Sequence, residues 1–234
     1  MSQIYRIEQL LSENSYPGRG IVLGRSPDGT HAALAYFIMG RSANSRNRVF
    51  AETEDGIQTQ AFDPSKMADP SLIIYHPVRR LDGRTIVTNG DQTDTVRDGL
   101  LAGQSFADAL RTRTFEPDGP NWTPRISGLL EADGSYQLSI LKSADETGTA
   151  CLRQTFAYPG QAGVGHFLHT YRCDGNPIPS FQGEPEPVAI PESCDALTEM
   201  IWNNLDEANK ISLYVCYISL TDGGTVCRMV NKYQ

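Results

Sequence analysis

The sequence predicts an α+β fold built on antiparallel sheets. Three observations carry this reading. Extended apolar runs come in pairs around short Asp-Gly turns, which is how hairpins are written. Between these pairs the apolar period changes to that of helices at three places. Apolar residues make up 39% of the 234, enough for a sizeable core. Hairpins punctuated by helices are the pattern of an α+β domain.

The elements follow in order. Residues 4–12 have a helical rhythm at Ile4, Ile7, Leu10 and Leu11, broken by NSYPGRG at 14–20. Residues 21–25 and 32–39 flank the turn SPDG at 26–29. The second run is apolar throughout, which predicts a strand buried on both faces. A second hairpin is expected over 48–62 around EDG at 54–56. A third joins 72–81 to 84–88 through Asp82 and Gly83. Val96, Leu100, Leu101, Phe106, Ala109 and Leu110 then mark two short helices separated by Gly103. Strands are expected over 124–132, 135–143, 150–158 and 164–173. A proline-rich loop at 174–191 precedes a helix at 195–208 and a closing hairpin, 211–219 with 225–231.

Several classes are excluded or disfavoured. The longest unbroken apolar run, 32–39, is eight residues, whereas a membrane helix needs about 20. The N-terminus shows no basic start followed by an apolar stretch, so a cytoplasmic protein without a signal peptide is expected. A net charge of −8 disfavours a general nucleic-acid-binding surface. The five cysteines lack C-x-x-C spacing and read as reduced, mostly buried apolar residues. His166 and His169 fall on opposite faces of the expected strand, which discounts a metal site there.

Charge is unevenly spread. Residues 14–51 hold Arg19, Arg25, Arg41, Arg46 and Arg48 against Asp28 alone, a net +4 in a chain of −8. The densest part is GRSANSRNR at 40–48. Arginine grips phosphate with a planar fork, and Ser and Asn add neutral donors, so this loop is a candidate anion site. NGDQTDT at 89–95 leads from strand to helix, where Asp91 or Thr93 would cap and Asp94 would complete a box. EPDGPNWTPRI at 116–126 gathers a carboxylate, an amide, a hydroxyl and an arginine on one loop. Tyr75 and His76, in an apolar run, are both able to move protons. Each segment also has a plain structural reading: a solvated loop, a capped helix, a surface connection, packed strand residues.

Taken together, these segments resemble the archaeal-type inosine monophosphate (IMP) cyclohydrolase family. The matching residues are Gly24-Arg25, Gly40-Arg41-Ser42 with Asn47-Arg48, Ile74-Tyr75, TNGDQTDT at 88–95, and Glu116 with Asn121 and TPRI at 123–126. The likeness covers about residues 18–131. The stretch between Arg41 and Asn47 is longer than the family's, Arg46 stands near an expected proline, and Trp122 interrupts the approach to TPRI. Nothing matches after about residue 150.

The resemblance implies one domain over 1–234, with 1–17 a helical extension. It implies a four-layer α-β-β-α sandwich like that of the N-terminal nucleophile hydrolases, without self-cleavage. It implies closure of the six-membered ring of 5-formamidoimidazole-4-carboxamide ribotide, with loss of water, to give IMP. No metal or cofactor is required, and a homo-oligomer is expected. Arg41 and Arg48, with Arg25 and Arg46, would bind the ribotide phosphate, Arg41 also standing with the reacting residues. Glu116 would be the general base, and Tyr75 would protonate the departing oxygen. Asn47, Asn89, Thr93, Asp94, Asn121, Thr123 and Arg125 would contact the remaining substrate. Two alternatives stand beside this reading: a non-catalytic purine-nucleotide-binding protein on the same scaffold, and an amidohydrolase using Ser2 as N-terminal nucleophile.

Overall fold

The computed structural model describes residues 3–66 and 74–233. Two antiparallel sheets face each other. One contains β1 (Arg19–Arg25), β2 (His31–Met39), β10 (Val164–His169), β11 (Glu186–Ala189), β12 (Lys210–Ser219) and β13 (Thr225–Asn231), in the order β11-β10-β1-β2-β12-β13. The other runs in sequence order, from β3 (Val49–Thr53), β4 (Gly56–Gln60), β5 (Val78–Leu81) and β6 (Arg84–Thr88) to β7 (Arg125–Leu130), β8 (Tyr136–Ser143) and β9 (Cys151–Tyr158). The helices are α1 (Ile7–Glu13), α2 (Ala43–Arg46), α3 (Gln92–Leu101), α4 (Phe106–Ala109) and α5 (Cys194–Trp202).

Strand alternation explains the layers. On β2, Ala33, Ala35, Phe37 and Met39 point outward and pack with Ile7 and Leu11 of α1 and Leu197 and Ile201 of α5. Ala32, Leu34, Tyr36 and Ile38 point the other way and meet Ile57, Val78, Val87, Ile126 and Leu138 of the second sheet. A strand covered on both faces has to be apolar at every position, as 32–39 is. The outer face of the second sheet buries Ile86 and Leu129 under Val96 of α3 and Phe106 of α4. The order is therefore helix, sheet, sheet, helix. Each fully buried large side chain contributes about 1.5–3 kcal/mol through removal from water.

The turns read from sequence are present. Asp82 (φ 49°) and Gly83 (φ 77°) both adopt left-handed backbone between β5 and β6, as a two-residue hairpin turn requires.

Four expectations are corrected. The strand expected over 72–81 begins only at Val78; residues 72–73 lie outside the described residues. Pro77 has no N–H for a ladder, and Tyr75 instead bonds Thr59, whose N–H donates to its carbonyl at 2.9 Å. The proline-rich loop contains the strand β11, where Pro187 is tolerated at a sheet edge. The cap of α3 is absent: Asp91 has helical backbone and makes no side-chain cap, because its carboxylate is held by Arg113 and Arg125. The cysteines are not all reduced, nor mostly buried. Cys216 and Cys227 stand directly opposite on β12 and β13 and are bonded to each other, while Cys173 is exposed and Cys151 half-buried. Among the described residues no helix is long and apolar enough to cross a membrane.

Candidate active site

Chain reversals at one end of the two sheets bring distant segments together. The start of β1, the end of β2, the start of β3, the end of β6, the approach to β7 and the exit of β10 all fall there. They enclose a cleft of about 300 Å³. Of the residues singled out from sequence, Arg41, Arg48, Asn89, Glu116, Asn121 and Thr123 line it.

The cleft is cationic at its floor. Arg48 is 9% exposed, and its Nε has no hydrogen-bond partner. Burial, followed by the nearby Arg19 charge, lowers its proton affinity. An arginine held this way is a donor set awaiting an anion. Among the described residues the Arg19 guanidinium donates one bond, from Nη1 to Met39 O at 2.8 Å. Burial opposes its charge, but the oxygens of Tyr16, Tyr75, Tyr36 and Tyr171 outweigh burial and raise its proton affinity. Arg41 sits at the mouth. It donates to Asp174 and to Gly175 O (2.9 Å) and lies 5.1 Å over the Tyr16 ring.

The opposite wall is acidic and hydroxylic. Burial raises the proton affinity of Glu116, against the pull of Arg125 and Arg19. No described residue donates to its carboxylate, while its backbone N–H donates to Thr123 O at 2.9 Å. Asp118 accepts from the N–H of Thr123 at 2.7 Å and from its hydroxyl. That hydroxyl lies 2.5 Å from Tyr171 Oη. Asn121 Oδ1 accepts the N–H of Ile178 at 3.0 Å, so its amide nitrogen is left for the cleft. Beneath lie Tyr36 and Tyr75, both buried, with hydroxyls 2.9 Å apart. Tyr75 is close enough to Arg19 and Arg48 to act on the charge of both.

Other singled-out residues do different work. Asn89 reaches the cleft wall, but its side chain is spent on the backbone: Nδ2 donates to Pro124 O at 2.8 Å, and Oδ1 accepts from Ile126 N at 2.9 Å. Asn47 ties its loop to Asp63 in the same two-sided way. Arg46 donates to Gly40 O and Asn209, and Arg25 to Gly29 O in its own turn. The Thr93 hydroxyl bonds Thr88 and Gly90 O. Asp94 pairs with Arg79 and Arg97. Arg125 turns away to Gln92 and Asp91. None of Arg25, Arg46, Asn47, Thr93, Asp94 and Arg125 lines this cleft. Ser2 lies outside the described residues.

Sequence reasoning passed over Tyr16, Arg19, Tyr36, Asp118, Tyr171, Asp174 and Ile178. Arg19 belonged to the positive island but to none of its dense motifs. Tyr171, Asp174 and Ile178 follow β10, where no pattern marked them; strand order alone delivers them, since β10 runs beside β1.

A family model described as IMP cyclohydrolase-like protein matches residues 16–223, well beyond the 18–131 span of the sequence resemblance. An IMP cyclohydrolase of Methanococcus aeolicus is 26% identical over 162 residues, 68% of this chain and 75% of that protein. One of Methanococcus maripaludis is 32% identical over 126 residues, 52% of this chain and 61% of that protein. One of Methanopyrus kandleri is 33% identical over 122 residues, 50% of this chain and 60% of that protein. The aligned part thus spans three-fifths to three-quarters of these relatives' lengths. With the family match covering most of the chain, from ahead of β1 to beyond β12, the protein belongs to the IMP cyclohydrolase-like family.

Proposed function

We propose that this protein closes the purine ring of 5-formamidoimidazole-4-carboxamide ribotide to give IMP. The observation that carries the reading is one cleft holding a nine-tenths buried, incompletely partnered Arg48 beside a Glu116 whose carboxyl is pushed toward its protonated form. The names of these relatives support the same reaction. The helix, sheet, sheet, helix order supports an N-terminal nucleophile hydrolase type of scaffold used without its nucleophile.

The carboxamide nitrogen and the formyl carbon belong to one molecule, so the enzyme's task is to hold the closing rotamer and move protons. The phosphate sits at the mouth on Arg41, Ser42 and Ser45, displacing Asp174. The formyl oxygen points to the floor, where Arg48 and Arg19 stabilise the charge it gains. Glu116 takes a proton from the attacking nitrogen and Tyr75 gives one to the formyl oxygen. The carbon–nitrogen bond forms. The oxygen then leaves as water, carrying the proton from Tyr75 and the carboxamide proton returned by Glu116, while the proton lost from the formamido nitrogen restores Tyr75. Tyr36 keeps the Tyr75 hydroxyl in place. The direct test is turnover of the formylated ribotide by the parent and by Tyr75→Phe. The proposal expects parent turnover and a loss of about 10²–10⁴ in the variant, the usual worth of a proton donor. Equal rates would remove Tyr75 from the mechanism.

A further inference from the structure

The segment that carries Glu116, Asn121 and Thr123 into the cleft has a second face. Behind it lies a separate cavity of about 420 Å³, whose wall includes Arg113, Arg125, Phe115, Trp122, Thr112 and Thr114. Its charged wall residues are Arg113 and Arg125, both cations, in a protein of net charge −8. The two guanidiniums share one counter-ion: Asp91 Oδ1 accepts from Arg113 and lies 2.9 Å from Arg125 Nη1. Arg125 is 8% exposed, and besides Asp91 it donates only to Gln92 Oε1 at 2.7 Å, so its Nε and Nη2 have no described acceptor. Glu116 of the first cleft acts on Arg125 through charge, with no hydrogen bond between them, and Asp145 is spent on its own loop, accepting from Thr147, Thr149 and Ala150.

The aromatic side of the cavity is rigidly built. Trp122 holds left-handed backbone at φ 45°, unusual for a bulky residue. Its indole N–H donates to Glu146 O at 3.0 Å, and its ring meets Phe115 edge-on at 5.8 Å. Gly148 makes the room, since a Cβ there would lie 2.6 Å from the indole. Strain, a specific glycine and a hydrogen bond thus fix an aromatic wall in the cavity that Arg113 and Arg125 also line.

We propose that this cavity is a second binding subsite, selective for a small aromatic anion, with the ring against Trp122 and the phosphate or carboxylate on Arg113 and Arg125. Its occupancy does not depend on the proposed reaction. Under that reaction it has one consequence: an anion on Arg125 weakens that arginine's pull on Glu116.

Phenyl phosphate is a suitable probe. The chain has two tryptophans, Trp122 and Trp202, so indole ¹⁵N labelling gives two N–H resonances, assigned by Trp122→Phe. Titration is expected to move the Trp122 resonance and leave Trp202 still. Arg113→Gln is expected to weaken the response about tenfold or more, the worth of a lost charge-assisted bond, with IMP binding by calorimetry unchanged. Arg113→Lys, which keeps the charge and loses the fork, is expected to fall between. Phenol, without the charge, is expected to give no shift. A silent Trp122, or a shift untouched by Arg113→Gln, overturns the proposal. A shift abolished by Arg48→Ala also overturns it, because the probe would then be acting from the first cleft.

Discussion

The Tyr171 hydroxyl lies 2.5 Å from Thr123 Oγ1, joining the exit of β10 to the loop that enters β7. Thr123 in turn bonds Asp118, and Tyr171 stacks on Tyr16 at 5.8 Å. This contact bridges the two sheets at the cleft wall. Burial pushes the Tyr171 phenol up to about 12, so it stays protonated at neutral pH. Tyr171→Phe is expected to cost about 1 kcal/mol of stability, the net worth of one hydrogen bond. It is also expected to raise KM more than it lowers kcat, since Thr123 loses a partner but no proton carrier is removed. Urea unfolding and steady-state kinetics check both.

Glu116 gives a prediction whose sign runs against ordinary expectation. A carboxyl with raised proton affinity in the fold binds more protons folded than unfolded. Stability on its account therefore falls as pH rises through the window above the usual glutamate range, and the full cost is carried once the pH exceeds the folded-state value. Glu116→Gln is expected to raise Tm at pH 7 while removing about 10²–10⁴ of turnover. In the parent, the acid limb of kcat is expected above the ordinary glutamate range. A variant with lower Tm and full activity would show that Glu116 is structural.

Arg48 is expected to behave similarly. It is buried, lies near Arg19, and its Nε is unpartnered. Arg48→Met keeps much of the volume and removes the buried charge. The expected result is unchanged or higher Tm, with turnover of the formylated ribotide lowered about ten- to a hundredfold, as for loss of a charged hydrogen bond. Steady-state kinetics and thermal melts separate the two effects.

Arg41 and Asp174 form a half-exposed pair at the mouth, 36% and 48% exposed. Such pairs add about 0–1 kcal/mol to stability. The phosphate has to displace Asp174 from Arg41, so Asp174→Asn is expected to leave Tm nearly unchanged and to tighten IMP binding a few-fold. The gain should shrink as salt rises. Weaker binding in the variant would mean that Asp174 supports the ligand instead of competing with it.

The legible parts of this molecule are those written locally. Asp82-Gly83 marks its hairpin because few other pairs accept left-handed backbone twice. The all-apolar run on β2 announced a strand between two apolar layers. Arg41, Arg48 and Glu116 were visible as charged groups in polar loops, and all three reach the cleft. What misled was proximity in sequence. Arg25 and Arg46 share the positive island, yet each bonds a nearby carbonyl and turns from the cleft. Asp91 had the chemistry of a cap, but two arginines from distant segments claim it. Tyr171 and Asp174 enter only through strand pairing, which no local pattern encodes.

The most direct test mixes the purified protein with the formylated ribotide and follows IMP by its ultraviolet absorbance. The account predicts conversion far above the uncatalysed rate, lost in Glu116→Gln and Tyr75→Phe while both remain folded. Conversion no faster than in buffer, by a folded protein that still binds IMP, would contradict it.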